Sequence, residues 1–367
     1  MDYTKRLKHH YQPAKGWMND PNGLVYFKGY YHLFYQHSPN FECPGKEAMY
    51  WGHARTENFV DFEELPLALS PDMEYDKNGC WSGTAIVKDD TLYLFYASIK
   101  LDENGDMLQK VSVAYSNDGI TFIKAQENPV IDKHPTETGN DFRDPAVVNI
   151  NGEYYLTVAA GNRETNKGFL VLYKSEDLIK WDYVDFLKTW DNCVYTECPS
   201  FLNNDKETMV SVSVCPTLSE HYFSIMFGKF DGKHFIEEAS ASVDKGPDQY
   251  AGQAFKDDKG RFLLISWIPG WRYINFAEKS IGCLSVPREI KCENGKITAY
   301  PIEEVRHLLK CEDDYLIRTD DGFTVKREHN GGNQHISGTF DTIEMIRDEY
   351  VLEVYVNHGE EIYTFIL

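Results

Sequence analysis

One pattern of apolar and polar positions recurs five times along the chain: a short apolar stretch, a polar turn, then a strand rich in Tyr and Phe. The copies occupy residues 24–36 (LVYFKGYYHLFYQ), 85–97 (AIVKDDTLYLFYA), 146–158 (AVVNINGEYYLTV), 200–213 (SFLNNDKETMVSVS) and 254–267 (AFKDDKGRFLLISW). Their starts lie 61, 61, 54 and 54 residues apart. Each turn has hairpin chemistry: Lys28-Gly29, Asp89-Asp90, Asn151-Gly152, Asn203-Asn204-Asp205 and Asp257-Asp258-Lys259-Gly260. Four strands with turns fit into about 55–60 residues, and radial repetition of four-stranded sheets hides sheet edges. Residues 111–116 and 169–174, each followed by a turn, supply outer strands. The pattern predicts an all-β fold, a five-bladed β-propeller over residues 1–300. A large sandwich with similar hairpins is the competing arrangement, and the even spacing favours the propeller.

Helical periodicity is scarce. Residues 301–309 (PIEEVRHLL) carry Pro at the first turn, acids early, basic residues late and apolar positions at 302, 305, 308 and 309, which predicts a linker helix over 301–310. Beyond it, residues 311–367 hold alternating segments at 323–326, 334–340, 350–356 and 361–367, separated by Asn330-Gly331-Gly332 and Asn357-His358-Gly359. They predict a small antiparallel sheet.

Composition narrows the function classes. Lys and Arg number 37 against 58 Asp and Glu, a net charge of −21, so nucleic acid and membrane surfaces are expected not to be partners. Tyr 24, Phe 21 and Trp 7 favour strands and offer flat faces for sugars. The eight cysteines form no CxxC pair and have no His partner at zinc spacing, so neither metal nor organic cofactor is expected and most are read as small buried hydrophobes. The N-terminal stretch has no apolar core of a signal peptide, and no apolar run reaches the roughly 20 residues of a membrane helix, which gives a cytoplasmic expectation.

The chemically loaded residues stand just before each hairpin: Trp17-Met18-Asn19-Asp20-Pro21-Asn22-Gly23, Cys80-Trp81-Ser82-Gly83-Thr84, Phe142-Arg143-Asp144-Pro145, Thr196-Glu197-Cys198-Pro199 and Asp248-Gln249-Tyr250-Ala251-Gly252-Gln253. If each hairpin opens with the innermost strand of a blade, all five segments enter one mouth of a central channel, and Asp20, Asp144 and Glu197 converge. Singly, these are a turn, a surface ion pair and a strand-end carboxylate. Together in one funnel they cannot all ionise at ordinary pKa values, which suits a glycosidase that needs one protonated acid and one ionised nucleophile.

WMNDPNG, WSGTA, FRDP and TECP, in this order, resemble the signature stretches of glycoside hydrolase family 32, the β-fructofuranosidases. WGHA at residues 51–54, the DxYAxQ pattern at 248–253 and LSVPREI at 284–290 add to the resemblance. It implies that Asp20 is the nucleophile, Glu197 the acid and later the base, and Asp144 the transition-state stabiliser. A retaining mechanism then expects the Asp20 and Glu197 carboxyls about 5–5.5 Å apart, with a low nucleophile pKa. Asn19, Gln36, Trp81, Ser82, Arg143, Tyr250 and Trp267 correspond to the fructose pocket, although Trp267 also reads as a core strand aromatic.

The sequence departs from the family pattern in four places. Lys46 stands where members often carry an aromatic, and reads either as a solvated loop lysine or as a cation near the leaving-group site. Gly252 replaces a usual proline, which suggests a looser loop. About 60 residues replace a C-terminal sandwich of over 100, with His358 at a common aspartate position. That reduced sandwich either packs flat on the propeller or is completed by a partner, and its exposed edges give the expectation of a homodimer. The expected partner is a small fructose-containing sugar: sucrose, its 6-phosphate or a short fructo-oligosaccharide. A fructosyltransferase, an arabinose- or xylose-acting five-bladed glycosidase and a non-catalytic sugar-binding propeller are the rival readings.

Overall fold

The computed structural model describes residues 2–204, 206–269, 282–327 and 331–367. Asp205 of the fourth expected turn and Asn330 of the C-terminal turn lie outside these residues. The five predicted hairpins are present, each opening an antiparallel sheet. The first sheet runs Trp17–Phe27, Tyr30–Ser38, Tyr50–Thr56 and Phe62–Leu69, and the second runs Gly79–Lys88, Thr91–Leu101, Met107–Ser116 and Ile123–Lys124. The third runs Asp141–Ile150, Glu153–Asn162, Lys167–Ser175 and Asp182–Asp191, and the fourth Tyr195–Asn203, Thr208–Cys215, Tyr222–Phe230 and Phe235–Ala241. The fifth comprises Tyr250–Lys256, Phe262–Ile268, Cys283–Leu284, Arg288–Glu293 and Lys296–Pro301.

The opening strand of each sheet packs against the opening strand of the next, and that of the fifth packs against that of the first. Among the described residues these strands have no ladder partner on their inward edge, so their backbone groups there need other partners. Side chains of neighbouring sheets provide them. Gln253 accepts from Leu24 N (3.2 Å) and donates to Gly83 O (3.0 Å), tying the fifth sheet to the first and second. Thr84 donates to Pro145 O and accepts from Val147 N, both at 3.0 Å, and Ser200 Oγ accepts from Ala254 N at 2.8 Å. One cavity of about 320 Å³ is lined by residues of all five opening strands.

The segment expected as a linker helix is a short 3₁₀ turn, Glu303–Leu308, and Pro301 ends a strand instead, paired with Arg288. The period explains it. Ile302 and Val305 are buried with Leu308 packed beside them, a spacing of three that matches the 3₁₀ repeat. Backbone bonds Val305 N to Ile302 O and Leu309 N to Arg306 O have the same span.

The C-terminal region is a two-layer sandwich of two three-stranded sheets, Leu316–Thr319, Gly322–Val325, Gln334–Ser337 and Ile343–Asp348, Val351–Val356, Glu361–Ile366. Leu316, Phe323, Met345, Val354 and Phe365 share the core between the layers. The opposite face of the second layer packs on the fifth sheet through Ile346, Tyr355 and Ile362. Both edges of that layer are bridged within the chain, Lys310 to Met345 and Asp244 to Ile362, so the exposed edges that motivated the dimer expectation are not there in this layer.

A buried ionic network locks this junction. Arg288 donates to Asp244 (2.7 Å) and Glu353 (3.0 Å), and Glu353 also meets His10 Nε2 (3.0 Å) while His10 Nδ1 meets Asp348 (3.2 Å). All five side chains are essentially inaccessible. Burial opposes charge on His10, but its hydrogen bonds to both carboxylates, with their negative charges, outweigh it and raise its pKa to about 9. Removing one partner from such a set leaves buried charge uncompensated, so Arg288→Met is expected to lower the unfolding free energy in urea by about 3–5 kcal/mol. Because the folded pKa of His10 exceeds its ordinary 6.5, its contribution is full below pH 6.5 and is lost as pH rises toward 9. His10→Gln is therefore expected to flatten the pH dependence of stability in that window, and an unchanged slope would contradict the assignment.

Candidate functional site

Each of the five opening strands carries one residue more than its partner strand at the sequence motif. Met18 to Pro21 spans three steps where His37 to Tyr35 spans two, and the same excess occurs at Arg143–Ala146, Glu197–Ser200 and Tyr250–Gln253. In the second sheet Ser82 is the extra residue between Trp81 and Gly83. A regular strand points consecutive side chains to opposite faces, whereas a bulge re-aims one of them. Consecutive residues therefore line a single cavity of about 520 Å³: Asn19 with Asp20, Trp81 with Ser82, and Arg143 with Asp144. Asp144, Cys198 and Ala251 adopt left-handed backbone at φ 58°, 49° and 48° at equivalent bulges. Such conformations cost about 1–3 kcal/mol each and persist because the surrounding sheet over-determines them. Proline stands at the edge of the bulge at Pro21 and inside it at Pro145 and Pro199, positions that a sheet tolerates.

The cavity brings together every site residue expected from the sequence except Lys46. Asp20 accepts from Ser82 Oγ (2.6 Å) and Asn19 Nδ2 (3.1 Å), and Asn19 is held by Trp17 Nε1 (3.1 Å). Asp144 accepts from the Cys198 backbone N–H at 2.9 Å. Glu197 divides its oxygens: Oε1 accepts from Arg143 Nε (3.2 Å) and Nη2 (2.9 Å), and Oε2 accepts from the Tyr250 hydroxyl. Gln36 is fixed by donating to Cys80 O (3.0 Å), and Trp267 stands edge-on to Trp17 with ring centroids 5.6 Å apart. Trp267 is buried and lines the cavity as well.

The electrostatics are those of crowded carboxylates around one guanidinium. Burial, with the charges of Glu197 and Asp20 adding to it, pushes Asp144 up to about 7 against the opposing pull of Arg143. Asp20 is also raised, chiefly by burial, although the Ser82 and Asn19 hydrogen bonds favour its charged form. The low nucleophile pKa expected from the sequence is thus corrected: desolvation outweighs the hydrogen bonds in the open site. Such a set can keep a proton on one carboxyl while another stays ionised, which acid-assisted displacement at a sugar carbon requires.

Two further expectations change. Lys46 is exposed and outside the cavity lining, which is formed at this loop by Pro44, Gly45 and Glu47. Glu47, which lines the cavity, is fixed by Ser38 (2.8 Å) and Asn40 (2.9 Å), and the exposure of Lys46 agrees with a solvated loop lysine. Gly252 lies inside the strand Tyr250–Lys256 and is buried, not in a loose loop; a Cβ there would stand 2.8 Å from the Phe223 ring and 3.0 Å from Ser266 Oγ.

Sequence reasoning missed three contributors. The Cys198 thiol lies 3.5 Å from an Asp20 oxygen and 3.6 Å from an Asp144 oxygen, so this cysteine is more than a filler of the core. Its place in TECP, directly after Glu197, was the available signal. Asp141 and Arg163 brace Arg143 (below) and line, with Trp81, Arg143 and Glu197, an adjoining polar cavity of about 660 Å³.

Comparison with known proteins adds the following. Residues 10–301 match the model of the glycosyl hydrolases family 32 N-terminal domain. A sucrose-6-phosphate hydrolase of Zymomonas mobilis subsp. mobilis is 34% identical over 329 residues, covering 83% of this chain and 63% of that protein. A levanase of Bacillus subtilis is 33% identical over 342 residues, covering 83% of this chain and 48% of that protein. The chain thus spans less than two thirds of the length of these relatives. A beta-fructofuranosidase structure from Bombyx mori superposes with TM-score 0.84 at 26% identity, covering 99% of this chain and 89% of that one.

The close approach at Gly252 generates a direct expectation. Gly252→Ala forces Phe223 or Ser266 to shift and is expected to cost about 1–3 kcal/mol in chemical denaturation. Unchanged stability would mean that the strand has slack there.

Proposed function

The chain belongs to glycosyl hydrolase family 32, and from that premise we propose that it is a retaining β-fructofuranosidase acting on sucrose, sucrose 6-phosphate or short fructo-oligosaccharides. The observation that carries this reading is the gathering of Asp20, Asp144 and Glu197 with Arg143 and Tyr250 around one cavity. The architecture read with it is a five-bladed propeller closed by the contact of the fifth opening strand with the first.

In this reading the fructosyl ring enters between Trp81, Trp267 and Trp17, and its hydroxyls meet Asn19, Gln36 and Asp144. Asp20, its charged form favoured by Ser82 and Asn19, attacks the anomeric carbon while Glu197 gives its proton to the departing glycosidic oxygen. A covalent fructosyl ester on Asp20 results. Glu197, now a carboxylate, takes a proton from water, whose oxygen attacks the same carbon and releases fructose and Asp20. Asp144 and Arg143 favour the transition state, Asp144 by hydrogen bonding to ring hydroxyls and Arg143 by holding Glu197 in line. The raised Asp20 lifts the acidic limb of the pH profile, since this group must lose its proton before attack.

Asp20→Asn and Glu197→Gln are each expected to cut sucrose hydrolysis by about a thousandfold or more while circular dichroism stays unchanged. Near-normal turnover in either folded variant would overturn the reading.

A further inference from the structure

Arg143 is shared between two carboxylates at its two ends. Its Nε and Nη2 address Glu197 Oε1, and its Nη1 donates to Asp141 Oδ1 at 2.8 Å. Asp141 opens the same strand two residues earlier and its side chain is 10% exposed. It is gripped from the other side by Arg163, whose Nε and Nη2 reach its two oxygens at 2.7 and 3.0 Å. Arg163 is 55% exposed, and both guanidiniums lie over the Tyr195 ring, 5.0 and 5.4 Å from its centroid. The chain Arg163–Asp141–Arg143–Glu197 therefore alternates in sign from the surface to the cavity.

We infer that Asp141, anchored by Arg163, is a positioning residue that takes a share of Arg143 from Glu197 and so sets where the alkaline limb of activity falls. The inference rests on the reading of Glu197 as the acid and base. A guanidinium facing Glu197 alone favours the carboxylate and weakens it as an acid; a second carboxylate on the far end draws part of that field away. Arg163 limits the draw by neutralising Asp141 in turn. Other ionisable groups face Glu197 and Arg143 from the surrounding strands: Asp20 and Asp144 from the first and third sheets, Tyr195, Cys198 and Cys215 from the fourth, and Tyr250 from the fifth. All of these stay in place when Asp141 or Arg163 is changed.

The two ends of the chain therefore predict opposite signs. In Asp141→Asn a larger share of the charge of Arg143 bears on Glu197, with Asp144 still taking part of it, and the alkaline limb of kcat/KM against pH is expected to move down by about half a unit or more. In Arg163→Ala, an exposed position, Asp141 takes a larger share of Arg143 and the limb is expected to move up. Glu164→Gln, on the wall of the same polar cavity but without a hydrogen bond to Arg143, serves as control and leaves the limb in place. Measurements belong at low ionic strength, where screening is weakest. The inference is overturned if both variants move the limb in one direction or neither moves it, or if Glu164→Gln moves it as far as Asp141→Asn. Should Asp141→Asn not fold, the upward shift of Arg163→Ala decides alone. An active Glu197→Gln enzyme would instead overturn the acid/base reading itself, so the two failures are distinguishable.

Discussion

A bulge at the motif of each opening strand, with a second in the first strand between Asn22 and Val25, is the constraint from which the site follows. A strand in regular register would place Asn19 and Asp20, or Arg143 and Asp144, on opposite faces, and only half of the polar side chains would reach the cavity. The bulges let the first three strands each present a consecutive pair to the cavity, while the fourth and fifth add Glu197 and Tyr250. They also explain the motif sequences: proline sits where the ladder is already interrupted, and glycine at 252 sits where Phe223 presses against the backbone.

Such a site is expensive to hold. Left-handed backbone at Asp144, Cys198 and Ala251 and three crowded carboxylates both work against it. The counterweight lies in the bonds between sheets, with Gln253, Thr84 and Ser200 satisfying backbone groups of neighbouring strands directly beneath the motifs. Farther out, the Arg288–Glu353–His10 network binds the fifth sheet to the C-terminal sandwich, so the sandwich is part of the scaffold that fixes the strand carrying Tyr250. Asp248, just before that strand, accepts from Arg327 Nη2 and Ile366 N and carries the same brace to within two residues of the site.

The hairpins and the motif positions were legible in the sequence because turn residues and aromatic strands are local signals. So was the convergence of Asp20, Asp144 and Glu197, since equal placement within a repeat implies equal placement in space. What stayed hidden depends on tertiary context. The spacing of three at Ile302, Val305 and Leu308 fits an α-stripe and a 3₁₀ turn alike until the strand ending at Pro301 is known. The strand Ile343–Asp348 buries residues on both faces, Met345 against the first layer and Ile346 against the fifth sheet, and so lacks clean alternation. Lys46 and Glu47 differ by one position in a loop, and no pattern says which one lines the cavity. Asp141 and Arg163 are 22 residues apart and meet only through the pairing of their strands.

In the proposed mechanism the bulged strands present Asp20 and Glu197 for two successive displacements on opposite faces of the anomeric carbon. It is tested most directly by letting the enzyme transfer fructose from sucrose to methanol and assigning the anomer of the methyl fructofuranoside by NMR. The account predicts the β anomer, from double displacement with net retention. The α anomer would show a single inverting displacement and would contradict it.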